Sequence, residues 1–367
     1  MEPSNPLEVA IRNHLAAHGG WMGFDDFMHQ ALYTPGLGYY ANELPKFGDA
    51  PQAPEQPEGS DFVTAPELTP LFGYALARQV AQALQATGTD EIWEFGAGSG
   101  ALAGQLLDAL AEMGVAVRRY TVVELSQTLA ARQRASLSRH APRLHWAQTL
   151  PDAMRGVLIG NEVLDAMPVQ LLARVGGVWH ERGVVCGDQG FAWSDRRTDL
   201  RPPAEIAGAH DYLCEIHPQG EAFVLSLGQR LERGMILLLD YGFGQDAYYH
   251  PQRHMGTVMC HRSHRSDMNP LADVGLKDIT AHVNFSGILV AGEEAGLDLL
   301  GYTTQAHFLM NCGLIDLMQA ASAVQRNRAE RLILEHEMGE LFKVIALGRG
   351  LTEPLLGFAR GDSSHRL

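Results

Sequence analysis

The stretch from Glu91 to Gly100 constrains the fold of this chain most, because a short apolar run leads directly into alternating glycines. The glycines are Gly96, Gly98 and Gly100, and a helix-like sequence begins at Ala101. This order predicts a strand, a tight turn and a helix, which is where an α/β sheet presents backbone to a nucleotide-like ligand. Glycines suit such a turn because a Cβ would keep the ligand away and because positive φ is often required.

The glycine loop alone is compatible with two cofactors. With Ala101 it also satisfies the relaxed dinucleotide pattern G-x-G-x-x-G/A. Glu94, however, stands where S-adenosylmethionine (SAM) methyltransferases commonly keep an acid for the ammonium group of the methionine end. Glu124 ends a second predicted strand and can accept hydrogen bonds from both ribose hydroxyls, which also happens in NAD enzymes. These neighbours favour SAM over NAD, and a glycine-rich turn without a ligand is the weaker alternative.

Length and composition indicate a folded globular protein with one large or two ordinary domains. The chain has 367 residues, 46% of them hydrophobic, and no apolar run approaches the roughly 18 residues that span a bilayer. The net charge of −15 argues against nucleic acid as a partner, because phosphate binding needs a basic face. The N-terminal residues resemble neither an export signal nor a transit peptide, so we expect a cytoplasmic protein without membrane insertion.

The cysteines and histidines give little indication of a metal site. The four cysteines are widely spaced and form no CxxC pair, which is typical of free thiols in a reducing compartment. Several histidines and Cys260 lie between residues 250 and 264, but their spacing matches no common zinc pattern. We therefore expect no metal.

Strands and helices alternate along the rest of the chain, which predicts a doubly wound, mostly parallel α/β sheet. Predicted strands cover residues 91–96, 118–124, 143–149, 156–161, 235–240, 297–303 and 342–348. Predicted helices cover residues 6–19, 24–32, 66–86, 100–113, 126–139, 163–168 and 219–232. Glycine-punctuated short strands in residues 170–197 interrupt this rhythm and predict an inserted hairpin or small sheet.

Two of the predicted strands end in polar side chains at the edge of the sheet where α/β proteins bind ligands. The strand 156–161 leads into Asn161, Glu162 and Asp165, and the apolar strand 235–239 delivers Asp240. A carboxylate at the tip of an apolar strand is costly to bury without a partner, which favours a functional role. For the segment after Asn161, the alternative is a helix N-terminus whose acids interact favourably with the helix dipole.

The chain resembles the MidA-like family of SAM-dependent methyltransferases, which includes the mitochondrial arginine methyltransferase that acts in respiratory complex I assembly. The matching segments are residues 35–40, 61–67, 94–100, 161–168, 240–242, 278–285 and 337–344. They follow in order along nearly the whole chain and are far more specific than a glycine loop. The resemblance implies a class I methyltransferase (Rossmann-like) fold with SAM as cofactor and protein arginine as substrate, including symmetric dimethylation of a respiratory NADH dehydrogenase subunit.

The resemblance also implies a division of the chain, which we predict as follows. The N-terminal helical region covers residues 1–88 and contains a proline-rich loop at 43–60. The methyltransferase domain covers residues 89–350, with an inserted lobe at about 170–217 and a substrate-side segment at about 245–296. Residues 351–367 form a C-terminal tail. Within the loop at 43–60, the proline-rich segment 45–58 looks longer than the family norm. The loop is either a tolerated surface insertion or a lid over the ligand.

The expected site combines these positions. Residues expected to contact SAM are Glu94, Gly96, Gly98, Gly100, Glu124, Asn161, Thr64 and Glu67. Glu162 and Asp240 are the candidate catalytic carboxylates that clamp a guanidinium group, with Asp165 in support. The expected partner is a protein that presents an arginine. The alternatives are a small-molecule methyltransferase, a SAM-binding assembly chaperone without turnover and, third, a dehydrogenase.

Overall fold

The computed structural model describes residues 5–42, 64–188, 190–262 and 265–367, so the predicted lid at 43–60 lies outside the described residues. The strands are β1 (Met22–Gly23), β2 (Glu91–Phe95), β3 (Arg119–Val123), β4 (Leu144–Ala147), β5 (Met154–Asn161), β6 (Gln170–Val175), β7 (Val178–Gly187), β8 (Gly190–Arg197), β9 (Tyr212–Ile216), β10 (Leu231–Phe243), β11 (Met259–Arg262), β12 (Arg265–Asp267), β13 (Asp278–Thr280), β14 (Val283–Asn284), β15 (Asp298–Thr304) and β16 (Phe342–Arg349). The α-helices are α1 (Pro6–Ala17), α2 (Phe24–Tyr33), α3 (Ala65–Leu68), α4 (Leu71–Thr87), α5 (Ala101–Glu112), α6 (Gln127–Ser136), α7 (Pro218–Arg230), α8 (Gln245–Tyr248), α9 (Phe285–Glu294), α10 (Gln305–Asn311), α11 (Leu314–Ala320) and α12 (Ala323–Glu330).

The central sheet has the strand order β15-β16-β10-β5-β2-β3-β4, with β14 paired to β10. The run from β10 to β4 is parallel, whereas β16 is antiparallel to both of its neighbours. The predicted mostly parallel α/β sheet is therefore confirmed. This topology brings the carboxyl ends of β2, β3, β5 and β10 to one edge, where the strand order reverses and ligands bind in such sheets.

Both faces of this sheet are covered, because successive side chains of each strand point to opposite sides. Leu237 of β10 packs with α4 and α5 on one face, and Leu238 packs with α7 and α9 on the other. Burying one such leucine contributes roughly 1.5–3 kcal/mol. The two cores hold the strand tips, and thereby the residues that follow them, in fixed positions.

A second sheet, β1-β7-β6-β9 with β8 on β7, forms the predicted insertion. The N-terminal helices α1 and α2 pack on it, and β1 pairs with β7 in the register Met22↔Val184. The same core includes Cys260 and Ile279 of the three-stranded sheet β12-β11-β13. Three segments distant in sequence therefore share one core, while the domain boundaries given above stay a prediction.

Two helix predictions differ from the structure. The helix predicted at 163–168 is wrong, because this segment is a turn whose backbone is held by the carboxylate of Asp240. The helix predicted at 66–86 is interrupted at Thr69 and Pro70, between α3 and α4. Within the described ranges, no helix is long and apolar enough to cross a membrane.

Candidate functional site

A cavity of about 1180 Å³ opens at the carboxyl ends of the parallel strands. Its walls come from the glycine loop, from the turn after β5, from the N-terminal region and from the substrate-side segment. Its lining includes His29, Tyr33, Tyr40, Thr64, Glu67, Glu94, Gly96, Gly98, Glu124, Asn161, Glu162, Asp165, Tyr241, His261, Asp278, Thr280, His282, Arg331 and Phe342. Most of the residues predicted from the sequence are therefore brought together here, although Gly100 and Asp240 are not part of this lining.

The glycine loop between β2 and α5 has the left-handed conformations that its sequence predicts. The φ angles are 64° at Gly96, 53° at Gly98 and 86° at Gly100. Gly96 and Gly98 line the cavity and expose backbone to it. Gly100 instead precedes α5, where a Cβ would stand 3.0 Å from the Leu137 side chain. The geometry therefore assigns Gly100 to packing of the helix start and leaves the ligand surface to Gly96 and Gly98.

Glu94 is 2% exposed and accepts a hydrogen bond of 2.7 Å from the Tyr120 hydroxyl. Burial raises the pKa of this carboxyl to about 7, and the hydrogen bond from Tyr120 opposes that shift. A carboxylate that is costly to ionise alone gains most from a cation placed beside it. This environment suits a ligand that carries an ammonium group.

Glu124 follows β3 on the other side of the glycine loop. Its carboxylate accepts hydrogen bonds from the Ser126 backbone N–H at 2.8 Å and from the Gln133 side chain at 3.1 Å. The same Gln133 amide lies 3.0 Å from the Gly98 carbonyl and thereby links the acid to the loop. Gln133 is fully buried in α6, and we did not predict it because a lone glutamine in a helix carries no pattern.

Asn161, Thr64 and Glu67 line the cavity close to Glu162. Asn161 donates its side-chain N–H to the Glu162 carboxylate at 3.0 Å, and its buried Oδ1 has no protein partner. Thr64 directly precedes the short helix α3 and Glu67 lies within it, and the backbone N–H of Ala65 also hydrogen-bonds the Glu162 carboxylate. The start of α3 is therefore attached to the turn after β5.

Glu162 has a positive φ of 53°, and in the described part of the chain Asp273 is the one other non-glycine residue with a positive φ. Strain of about 1–3 kcal/mol at such a residue is typically retained at functional sites. The side chain is half-buried, and its exposed part faces the cavity. Burial, followed by the negative charge of Asp165, raises the pKa of this carboxyl to about 8. The turn therefore presents a carboxyl group that gains or loses its proton near neutral pH.

Asp165 lies deeper in the same turn and is 5% exposed. Burial raises its pKa to about 6, and a hydrogen bond with Tyr241 opposes the shift. Its Oδ1 atom is buried without a hydrogen-bond partner although the residue lines the cavity. An unpartnered buried carboxylate oxygen is costly, which indicates that a ligand group completes this site.

Asp240 does not face the cavity, and the predicted clamp of Glu162 with Asp240 is not supported by the geometry. One oxygen of Asp240 accepts the backbone N–H groups of Leu164 and Asp165, at 3.0 and 3.2 Å. The other accepts the N–H of Tyr241 at 2.9 Å. Both oxygens are therefore committed to backbone, and Asp240 holds the turn that carries Glu162 and Asp165.

Sequence reasoning missed an aromatic and acidic wall on the far side of the cavity. It consists of Tyr33 and Tyr40 from the N-terminal region, Tyr241 at the end of β10, and Asp278 at the start of β13. Tyr241 follows Asp240 directly, and Asp278 opens a segment of the family resemblance, so these two positions carried a signal. Tyr33 carried none, and Tyr40 lies in the matching segment 35–40 but was given no role, because only the fold brings α2 and the turn that follows it to this place.

The described histidines between residues 250 and 264 do not form one cluster with Cys260. His261 faces the cavity, and Cys260 lies in the core that α1 and α2 share with the second sheet. His254 packs edge-on against His210. His264 is outside the described residues. The described ranges hold no group of three His, Cys, Asp or Glu side chains arranged for a metal, and the expectation of a metal-free protein stays a prediction.

The residues around the glycine loop fit SAM in charge and in shape. Left-handed glycines expose backbone, Glu94 offers a carboxylate for an ammonium group, and Glu124 offers one for hydroxyl groups. An acceptor for hydroxyls at the end of the second strand is also compatible with a dinucleotide. The acid inside the first strand at Glu94 is the feature that distinguishes the two ligands.

Replacing Glu124 by alanine is expected to weaken binding of SAM or S-adenosylhomocysteine by about 1.5–3 kcal/mol, the usual contribution of a hydrogen bond to a charged group. Isothermal titration calorimetry with S-adenosylhomocysteine measures this loss. Glu112→Ala, at the exposed end of α5, is the matched control and should bind like the wild type. Equal affinity in Glu124→Ala and wild type would remove Glu124 from the cofactor site.

Comparison with solved structures supports this assignment of the cofactor. A crystal structure from Burkholderia thailandensis bound to S-adenosyl-homocysteine is 47% identical with a TM-score of 0.93 and covers 98% of this chain and 96% of that chain. A native crystal structure from the same organism is 44% identical with a TM-score of 0.89 and has the same coverage. At these identities the likeness extends to the ligand site, and S-adenosylmethionine is the cofactor.

Curated relatives and a family model agree with the structures. The mitochondrial protein arginine methyltransferase NDUFAF7 of Homo sapiens is 27% identical over 94% of this chain and 85% of its own length. The NDUFAF7 homolog of Caenorhabditis elegans is 27% identical over 88% of this chain and 82% of its own length. The model of a family described as S-adenosyl-L-methionine-dependent methyltransferases matches residues 75–303. The chain therefore belongs to this family of SAM-dependent methyltransferases.

Proposed function

We propose that this methyltransferase modifies arginine side chains of a protein, with Glu162 and Asp165 as the carboxylates that receive the guanidinium group. The observation that carries the proposal is the unpartnered, buried Oδ1 of Asp165 in a cavity shared with the glycine loop. The names of the curated relatives, which are protein arginine methyltransferases, support the same substrate. The predicted symmetric dimethylation, the NADH dehydrogenase subunit as substrate and the cytoplasmic location rest on the resemblance and on sequence composition.

The chemistry requires both positioning and removal of a proton. Bound SAM would supply an electrophilic methyl group, and the electron pair of the broken C–S bond would stay on sulfur as the neutral thioether of S-adenosylhomocysteine. The acceptor nitrogen must stand about 3–3.5 Å from the methyl carbon. Guanidinium has a pKa of about 12.5 or more, so full deprotonation at pH 7 would cost on the order of 7 kcal/mol. The enzyme therefore needs carboxylates that orient the nitrogen and accept the proton as the new bond forms.

Glu162 and Asp165 match these requirements in different ways. Glu162, with its pKa raised to about 8, is the stronger base of the two, and its ionised form, which grows as the pH rises toward 8, is suited to accept the proton. Asp165, whose pKa is raised only to about 6, is ionised at pH 7 and suited to hold the cation. Asp240 acts through these two residues as a positioning residue, because it accepts the backbone N–H groups of Leu164 and Asp165 in the turn that carries both.

The proposal predicts a pH profile. The value of kcat/KM should rise from about pH 5 and level off above about pH 9, since substrate capture and proton removal require ionised carboxylates. The guanidinium remains protonated throughout this range, so the titrating groups belong to the enzyme. The value of kcat/KM rises with pH because the carboxyl groups of Asp165 and Glu162, with raised pKa values of about 6 and about 8, ionise in this range. A profile that is flat, or that falls with pH, would contradict these roles.

Labelling of a cell lysate tests the proposed function against its small-molecule alternative. The wild-type chain is incubated with tritiated SAM and a lysate from cells that lack its gene, and the label is separated into protein and low-molecular-weight fractions. We expect label in protein, followed by identification of the band by mass spectrometry. Label confined to small molecules would support the metabolite methyltransferase, and SAM binding without any transfer would support the assembly chaperone.

A further inference from the structure

His282 contributes an imidazole ring to the cavity from the segment between β13 and β14. The residue before it, Ala281, donates its backbone N–H to the carbonyl of Asp165 at 3.0 Å. The ring packs edge-on against Tyr241, with centroids 5.1 Å apart, and the Tyr241 hydroxyl donates to the Asp165 carboxylate. The backbone and the Tyr241 side chain therefore place His282 in the same part of the cavity as Asp165.

Hydrogen bonds hold the backbone of His282 in place. Its N–H donates to the Thr257 hydroxyl at 3.1 Å, and its carbonyl accepts the Tyr248 hydroxyl at 3.1 Å. The ring also packs against Phe243, with centroids 5.4 Å apart. The imidazole therefore has a defined position that does not depend on a hydrogen bond made by the ring itself.

The Nδ1 atom of His282 is buried, and within the described residues it has no hydrogen-bond partner. The Oδ1 atoms of Asn161 and Asp165, which belong to the same cavity lining, are in the same situation. Most buried polar atoms in folded proteins are paired, so an unpaired atom requires an explanation. Three such atoms around one cavity indicate a ligand that donates several hydrogen bonds.

The charge state of His282 suits a cationic ligand. Burial, followed by the positive charges of Arg253 and Lys343, lowers its pKa to about 4, so the ring is neutral at pH 7. A neutral imidazole has one acceptor nitrogen, whereas an imidazolium has none and carries a positive charge. A guanidinium group only donates hydrogen bonds, so it can pair with the neutral ring. When the ring proton is on Nε2, Nδ1 is the acceptor.

We propose that His282 binds the substrate through Nδ1, which accepts a hydrogen bond from the guanidinium group held by Asp165. The inference rests on the proposed function and adds a neutral contact to its carboxylates. A guanidinium offers five N–H donors, so donors remain for His282 after a carboxylate has been paired. The contact is present before and during methyl transfer, and it therefore lowers KM and leaves kcat nearly unchanged.

The test measures peptide binding and turnover separately. The probe is Ac-Gly-Gly-Arg-Gly-Gly-NH2, titrated calorimetrically into the enzyme saturated with S-adenosylhomocysteine. His282→Phe keeps an aromatic ring but removes both nitrogens, and it should weaken peptide binding by about 10- to 150-fold, the equivalent of a hydrogen bond to a charged group. KM should rise by a similar factor while kcat changes little. Affinity for S-adenosylhomocysteine within about twofold of wild type shows that the variant is folded.

Two further variants identify the nitrogen that makes the contact. His282→Asn can place its side-chain oxygen near the former Nδ1, since both atoms are bonded to Cγ, and it should recover most of the lost affinity. His282→Gln places its amide near the former Nε2 and should bind the peptide as weakly as His282→Phe. His254→Phe is the matched control, because His254 is exposed and lies outside the cavity lining.

The outcomes distinguish this inference from the proposed function. If the wild type binds and methylates the peptide but all His282 variants behave like His254→Phe, the inference is wrong and the proposed function stands. If Phe, Asn and Gln at this position weaken binding equally, the ring acts by packing, and recovery by Gln alone would assign the contact to Nε2. Either result overturns the role of Nδ1. If the wild type neither binds the peptide nor methylates arginine in any protein, both proposals fail.

Discussion

Replacing Glu162 by glutamine is expected to lower kcat by roughly 10²–10⁴-fold, the range for loss of a positioned acid–base group. Glutamine keeps the size of the side chain but can no longer accept a proton. The affinity for S-adenosylhomocysteine should stay near the wild-type value, because glutamine keeps an oxygen that can accept the hydrogen bonds from Asn161 and from the Ala65 backbone. Single-turnover methyl transfer to an arginine peptide, with calorimetry of cofactor binding, measures both quantities.

Two comparisons make this result specific. Glu353→Gln, an exposed substitution outside the cavity lining, should leave the rate unchanged. Asp240→Asn should lower the rate and also the stability, because its oxygens hold three backbone N–H groups of the turn and of Tyr241. A Glu162→Gln enzyme that retains nearly the wild-type rate would exclude Glu162 as the proton acceptor.

Replacing Gly98 by valine is expected to abolish SAM binding. The φ of 53° at this position costs an L-residue roughly 1–2 kcal/mol. A branched side chain at this point of the lining would also occupy space that the ligand needs. Calorimetry with S-adenosylhomocysteine, at concentrations well above the wild-type dissociation constant, measures the loss.

Gly88→Val separates backbone strain from obstruction of the site. Gly88 has a similar φ of 62° at the end of α4, and a Cβ there would meet nothing within 4 Å. We expect this control to lose some stability and to bind the cofactor normally. If both glycine variants bind equally well, or if both lose binding to the same degree, obstruction at Gly98 is not the explanation.

The cofactor half of the site could be predicted because its determinants are local in sequence. The apolar strand before Gly96, the acid at Glu94 and the acid at Glu124 are each read from a few neighbouring residues. Strand alternation then gave the central parallel sheet. Glu162 and Asp165 could be proposed for the same reason, since they follow β5 and therefore lie at the edge of the sheet where α/β proteins bind ligands.

The wall formed by Tyr33, Tyr40, Tyr241 and Asp278 was not predicted, because its residues meet only through the fold. Tyr40 and Asp278 are far apart in the chain, yet the Tyr40 hydroxyl donates a hydrogen bond to the Asp278 carboxylate. Asp240 was assigned to substrate because a strand tip was visible from the sequence, whereas the direction of its carboxylate was not. That direction also explains the wrong helix at 163–168, whose segment is held as a turn by the carboxylate of Asp240.

The identity of the methylated residue tests the central proposal most directly. Protein labelled by the wild-type chain with tritiated SAM is hydrolysed to free amino acids, and the labelled species are separated against methylarginine and methyllysine standards. Our account predicts label in methylated arginine, and the resemblance to the MidA-like family predicts the symmetric dimethylated form as the end product. Label in lysine, or label released by mild base as a carboxylate ester, would contradict the account.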